Sequence, residues 1–235
     1  PDVPAWAVNS GRRLAKIHRP VMERNANKAS GKGVYRRESK GIFMEVFLPD
    51  STNQYTDGMD NWKLVERKVL FDHAWVRLIK DSITRGSRTI PYLYLESPVD
   101  SAATVAVTDN HEIVLTRQYR HPLGQVIFDL PAGRTHPGED PLAGARRELA
   151  EETGYQAGQI ELLGRLNPFP GSLKVTMNLF FASELSEGQA QLDSDEELEV
   201  HLVPFEEVYA GVLAGKYIDG ALQAGVLLAR ARGLA

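Results

Sequence analysis

Residues 133–155 constrain this chain more than any other stretch. Gly133 is followed by five residues and Glu139, then by seven residues and the run Arg147-Glu148-Leu149-Ala150-Glu151-Glu152-Thr153-Gly154. Asp140 before Pro141 is an N-cap followed by proline at the first helical position, so the sequence predicts a helix starting there. Gly154, past the last periodic residue, is a good place for it to stop. Leu142, Ala145 and Leu149 recur at three and four and would form its apolar face.

Glu148, Glu151 and Glu152 stand at i, i+3 and i+4, which crowds their carboxylates onto one side of about one turn. Like charges repel, and the C-terminal half of a helix disfavours anions. A helix that keeps three glutamates there needs a compensating cation. Oxygen-only, carboxylate-rich coordination favours a hard divalent ion, Mg²⁺ or Mn²⁺, which also binds phosphates. The plainer reading is a solvated acidic face supported by an Arg147–Glu151 pair at i, i+4. The preceding loop argues against it: Gly133, Pro137, Gly138 and Glu139 punctuate a strand–loop–helix passage and bring a further carboxylate toward the same face.

With those residues in place, the segment resembles the signature of the Nudix hydrolases. Seven fixed positions at a typical frequency of ~6% would coincide with odds on the order of 10⁻⁹ per starting point. Tyr155 departs from the pattern, which usually carries an aliphatic residue there. The resemblance implies an α/β/α sandwich with a mixed β-sheet. It also implies Glu148 and Glu152 as metal ligands, Glu151 as a ligand or a supporting group, and the backbone carbonyl of Ala132 as a further ligand. Arg147 would orient the glutamates, and two or three Mg²⁺ ions (or Mn²⁺) would serve as cofactor.

The rest of the chain narrows the class. Its 235 residues allow one large domain or a domain with an appendage. No cysteine is present, which excludes disulfides, thiolate zinc sites and cysteine nucleophiles and fits a cytoplasmic protein. A net charge of −4 argues against a nucleic-acid-coating role, and no apolar run reaches membrane-spanning length. Residues 1–60 read as a separate basic and polar extension, in which ten Lys and Arg between Arg12 and Lys40 are opposed only by Glu23 and Glu38. Either a solvated, partly ordered extension or an arm for nucleic acid, an acidic partner or a subunit contact suits that composition, and the scarcity of interleaved aromatics speaks against nucleic acid.

From Trp62 onward the text turns strand-like. Strands are expected at Trp62–Phe71, Ala74–Ile79 and Thr89–Glu96, with Gly86 in a turn between the last two. A hairpin is expected from Ala103–Val107 and Glu112–Gln118. Further strands are read at Val126–Leu130, Ile160–Leu166, Thr176–Ser183 and Leu198–Val203, and helices at Phe205–Ala214 and Asp219–Ala231. Residues 61–100 would then form an additional N-terminal antiparallel region, and 101–235 the hydrolase domain.

Within the Nudix family, three features resemble the ADP-ribose and ADP-sugar pyrophosphatases. Gln118-Tyr119-Arg120 followed by Asp129-Leu130-Pro131-Ala132-Gly133 is similar to their Gln-Tyr-Arg and Glu-Leu-Pro-Ala-Gly stretches, with Asp129 in place of the usual Glu. Pro170 lies sixteen residues after Gly154, where that branch commonly has a proline. The strand-rich 62–96 segment is similar to the extra sheet through which those enzymes dimerise, so a homodimer is expected. The resemblance implies hydrolysis of the pyrophosphate of a nucleoside diphosphate derivative, ADP-ribose or a related ADP-sugar, to AMP and a sugar phosphate. Arg120 is a phosphate-binding candidate, since a guanidinium can grip phosphate oxygens bidentately. Trp62, Tyr92 and Tyr94 are candidates for stacking on adenine, within one chain or across a dimer interface, with core or interface packing as the plainer account. Glu196, then Glu197, are candidates for the general base in the acidic run 193–197. Two alternatives stay open: an NADH pyrophosphatase, whose motif Pro168–Ser172 partly echoes, and a Nudix-fold ligand sensor without catalysis.

Overall fold

The computed structural model describes residues 61–192 and 197–235, together with the backbone of 34–35 and 46–47. Residues Pro1–Asp60 and Asn61–Ala235 form separate units. In the first, β1 (Val34–Tyr35) pairs antiparallel with β2 (Val46–Phe47). The basic extension otherwise lies outside the described residues, as does Glu196.

The second unit is built on strands whose two faces are both covered. β6 (Ser101–Ala106) runs parallel to β12 (Met177–Ser186), and β10 (Gln156–Leu166) and β9 (Ala132–Arg134) flank them antiparallel, in the order β10-β12-β6-β9. Alternate side chains point to opposite faces of a strand. Ala103 and Val105 of β6, with Leu179 and Phe181 of β12, join the core beneath α2 (Phe205–Leu213) and α3 (Gly220–Arg232). Ala102, Ala106, Phe180 and Ala182, one residue out of phase, pack in the clusters that hold Ala145 and Leu149 of α1 (Pro141–Thr153). A strand buried on both faces reads as a near-continuous apolar run, which is how 102–107 is written, with Thr104 its one polar residue. The result is an α/β/α sandwich around a mixed sheet. A second sheet, β13-β7-β8, joins Leu198–Pro204, Glu112–Arg120 and Gln125–Asp129.

The N-terminal sheet is β3 (Trp62–Asp72), β4 (Arg77–Arg85) and β5 (Arg88–Glu96), with β11 (Leu173–Lys174) added parallel to β5. Asp81 is buried at its centre, where Arg67 grips it through two bonds of 2.9 Å and the Tyr94 hydroxyl donates to it at 3.3 Å. The Arg67 guanidinium holds the Asp81 carboxyl below its ordinary value. The Tyr94 hydroxyl is thus engaged within the sheet, and its side chain is half-buried.

Three expectations change. The second strand covers 77–85 rather than 74–79, because His73 and Val76 exchange backbone bonds and close a turn ahead of it. The expected hairpin is not one: β6 and β7 meet only at the Val107–Ile113 bridge and then diverge into different sheets. A local reading of turn residues cannot see that each strand has two better partners elsewhere. The third concerns α1. Asp140 occupies its N-cap position without a side-chain capping bond, and Leu142 stays 36% exposed while Ala145 and Leu149 are buried.

Candidate active site

The catalytic candidates meet where β9 passes under α1. Gly154 ends α1 with φ +77°, and its N–H bonds the Ala150 carbonyl at 2.9 Å. A Cβ there would also press within 2.9 Å of the backbone at 188 and 190, so glycine is required twice over. That close approach brings Gln191 to the helix end, where its N–H donates to the Glu151 carbonyl at 2.8 Å. At the other side, a Cβ on Gly133 would overlap the Glu148 carboxylate. The signature glycine is thus explained by space: the glutamate occupies the volume a side chain would fill.

Arg147 organises the carboxylates. Its Nε and Nη2 reach both oxygens of Glu139 at 3.0 Å, Nη1 reaches Glu148 at 2.9 Å and Glu151 at 2.8 Å, and Nη2 also reaches the Arg134 carbonyl at 3.0 Å. All five guanidinium donors are used, a pattern a lysine cannot reproduce. Arg147, led by its bonds to Glu139, holds that carboxyl down to about 2 from an ordinary 4.5, helped by the His136 N–H at 2.8 Å. Glu152, nearly fully buried, accepts the Ala132 N–H at 2.9 Å. The expected repulsion is therefore relieved in part by Arg147.

The Glu139 pairing makes a pH prediction. Its folded-state value lies below its unfolded one, so the carboxylate stabilises the fold fully above pH ~4.5 and loses that contribution as pH falls toward 2. Glu139→Gln should melt several degrees below the wild type at neutral pH, at roughly 2–4 °C per kcal/mol for a domain this large. The two melting temperatures should converge toward pH ~2. A gap that stays constant with pH would rule the pairing out as its source.

The carboxylates open onto a cleft of about 1370 Å³. Its walls include Ala132–Glu139, Arg147, Glu148, Glu151 and Glu152 on one side and Trp75, Arg77, Glu96 and Lys174 on the other, with Gln118, Arg120 and Gln191 also lining it. Among the described residues no three carboxylates or imidazoles already converge as a cation cage. The donor set still suits a hard divalent ion: Glu148 and Glu152 stand on one helix face at the cleft wall, and Gly133 lets the Glu148 carboxylate lie against β9.

Of the other residues singled out from the sequence, Arg120 lines the cleft, bonded to Asp129. Trp62 does not; it lies at the open end of the β3–β4 pair, with Arg85 over its ring at 5.2 Å. Tyr92 donates its hydroxyl to the Gly171 carbonyl at 2.7 Å, tying down the exposed turn that holds Pro170, and neither residue lines the cleft. Glu197 is exposed just before β13. Sequence reasoning missed Trp75. It is exposed in the β3–β4 turn and lines the cleft, and the Arg134 guanidinium sits 4.9 Å from its ring centroid. Assigning 74–79 to a strand hid it.

The family model described as the NUDIX domain matches residues 98–221, a span that runs from the β5–β6 connection to the first turn of α3. The chain belongs to the Nudix hydrolase family. A methanol dehydrogenase activator of Bacillus methanolicus is 35% identical to it over 136 residues, 57% of this chain and 74% of the activator. An ADP-ribose pyrophosphatase of Mycobacterium tuberculosis is 34% identical over 174 residues, covering 73% of this chain and 84% of that enzyme. The fold of this Nudix hydrolase is similar to that in a crystal structure of an ADP compounds hydrolase, with a TM-score of 0.62 at 19% identity over 72% of this chain and 92% of the other. Among the described residues no helix is long and apolar enough to cross a membrane.

Proposed function

We propose that this Nudix hydrolase cleaves the pyrophosphate of ADP-ribose, or of a related ADP-sugar, to AMP and a sugar phosphate. One observation carries the reading: the Glu148/Glu152 pair faces a cleft whose walls also hold Arg120, Arg134 and an exposed Trp75. Carboxylates, cations and a flat aromatic in one cleft suit a substrate with phosphates and a base. The ADP-ribose pyrophosphatase among its relatives supports the same choice.

In this reading Glu148 and Glu152, with the Ala132 carbonyl, hold Mg²⁺ or Mn²⁺. The ion supplies charge neutralisation at the pyrophosphate and a more acidic water. Arg147 holds Glu148 and Glu151 in place, and Arg120 binds a phosphate oxygen pair. Trp75, which lines the cleft where Trp62 and Tyr92 do not, takes the base. Pro170 shapes the turn that Tyr92 secures. A carboxylate of the acidic run, Glu196 or Glu197, accepts the proton of the attacking water as the P–O bond to the leaving phosphate breaks. The protein acts as a homodimer in the cytoplasm. Its partner copy covers the apolar side chains Leu64, Val69, Phe71, Leu93 and Leu95, which the single chain leaves exposed on the N-terminal sheet.

The test is a substrate comparison with Mg²⁺. ADP-ribose should exceed NADH in kcat/KM, with AMP and ribose 5-phosphate as products. A preference for NADH or for a nucleoside triphosphate would overturn the substrate assignment.

A further inference from the structure

Arg120 does not stand alone at the cleft wall. It ends β7 opposite β8, and its Nε and Nη2 both bond Oδ2 of Asp129, the former at 3.0 Å. The other carboxylate oxygen, Oδ1, accepts the Thr116 hydroxyl at 2.6 Å and the Gln118 amide at 3.4 Å. Asp129 is 3% exposed, whereas the Arg120 side chain keeps 41% of its surface. So the carboxylate is spent inside the protein and the guanidinium is only half spent. Of its five N–H donors, Asp129 engages one on Nε and one on Nη2. The Nη1–Nη2 edge is left for a second, bidentate acceptor.

The surroundings keep that edge in one place. Asp219 at the start of α3 lines the same chamber of about 200 Å³ as Arg120 and Asp129, beside Ala132 and Gly133. Burial pushes the Asp219 carboxyl up, while the Leu222 N–H that it accepts at 2.7 Å draws it down, so Asp219 is held by its own helix and leaves the Arg120 edge open. An unheld arginine must give up rotamer freedom when it binds a phosphate; one already fixed by a buried anion has less to lose.

We propose that Asp129 is a positioning residue for the pyrophosphate substrate: held by Thr116, it fixes Arg120 with its free edge toward the cleft. This rests on the reading of Arg120 as a phosphate-binding residue. Asp129 does not touch the substrate; it acts through Arg120. Its loss should therefore weaken binding and spare the chemical step.

The experiment is a double-mutant cycle on the full chain with Asp129→Asn, Arg120→Gln and the pair combined. ADP binding is measured by calorimetry without metal, and ADP-ribose hydrolysis with Mg²⁺. Each single variant should bind ADP about tenfold more weakly and raise KM by a similar factor, at a kcat within about twofold of the wild type. The double variant should be no worse than Arg120→Gln alone, since the two act as one unit. Additive losses, or an Asp129→Asn variant with native ADP affinity, would overturn the proposal. If a single variant fails to fold, Thr116→Val keeps both charges and loosens only the support. A KM raised about threefold at native melting temperature would then support the proposal, and an unchanged KM would overturn it. A wild type that binds ADP and follows the cycle without hydrolysing ADP-ribose would sink the substrate reading and leave this one standing. A wild type that does not bind ADP would overturn this proposal, and one that also fails to hydrolyse ADP-ribose would overturn both.

Discussion

Glu152→Gln should lower kcat by about two to four orders of magnitude, the scale of several kcal/mol of transition-state charge stabilisation. The fold should survive, because a glutamine carbonyl can still accept the Ala132 N–H that Glu152 now accepts at 2.9 Å. What is lost is the charge. Glu152 is buried beside Glu148 at the cleft wall, and a neutral amide there is a poor ligand for a hard cation. Glu151→Gln should cost far less: that side chain is half-buried, more exposed than Glu148, and its bond runs to Arg147. Turnover at saturating Mg²⁺ together with a thermal melt decides the matter. Near-native turnover of Glu152→Gln would remove it from the metal site.

Deleting the chain through Glu96 should abolish both dimerisation and hydrolysis, while deleting only through Asp60 should spare both. β3 is exposed along its whole length, and Leu64 and Val65, which lie at a bulge in its pairing with β4, are both more than half exposed. An edge strand with exposed apolar side chains invites a partner. Two-fold pairing is the commonest closed assembly. The longer deletion also removes Trp75 and Arg77 from the cleft, so a second variant separates the effects. Val69→Lys combined with Phe71→Lys charges the exposed face and leaves every cleft residue in place. Sedimentation should show it as a monomer with reduced activity. A monomer with full activity would refute a cleft completed by the partner. Loss of the dimer on removing residues 1–60 alone would move the interface there.

Much of the site is local, and local features were legible. Gly133, Glu139, Arg147, Glu148, Glu152 and Gly154 sit on one strand–loop–helix passage, where helical spacing alone places Glu148 and Glu152 on the same face. The proline start and the left-handed glycine stop of α1 are likewise set by each residue's own backbone preferences. Alternation and capping also located most strands and both C-terminal helices to within a few residues.

What could not be read depends on which distant segments meet. Nothing in 103–118 says that β6 prefers β12 and β9 while β7 prefers β13 and β8, because pairing is decided by the burial each strand gains across the whole fold. Trp75 reads as one more strand residue until the His73–Val76 turn sets it over Arg134, far along the chain. Arg120 reads as a free phosphate ligand until β8 brings Asp129 against it. The spacing of the signature determined the chemistry this chain can perform, since carboxylates one helical turn apart stay together in any fold that keeps the helix. Tertiary structure alone decided what surrounds them, because the charge partners and the cleft walls come from strands that only the folded sheets bring within reach.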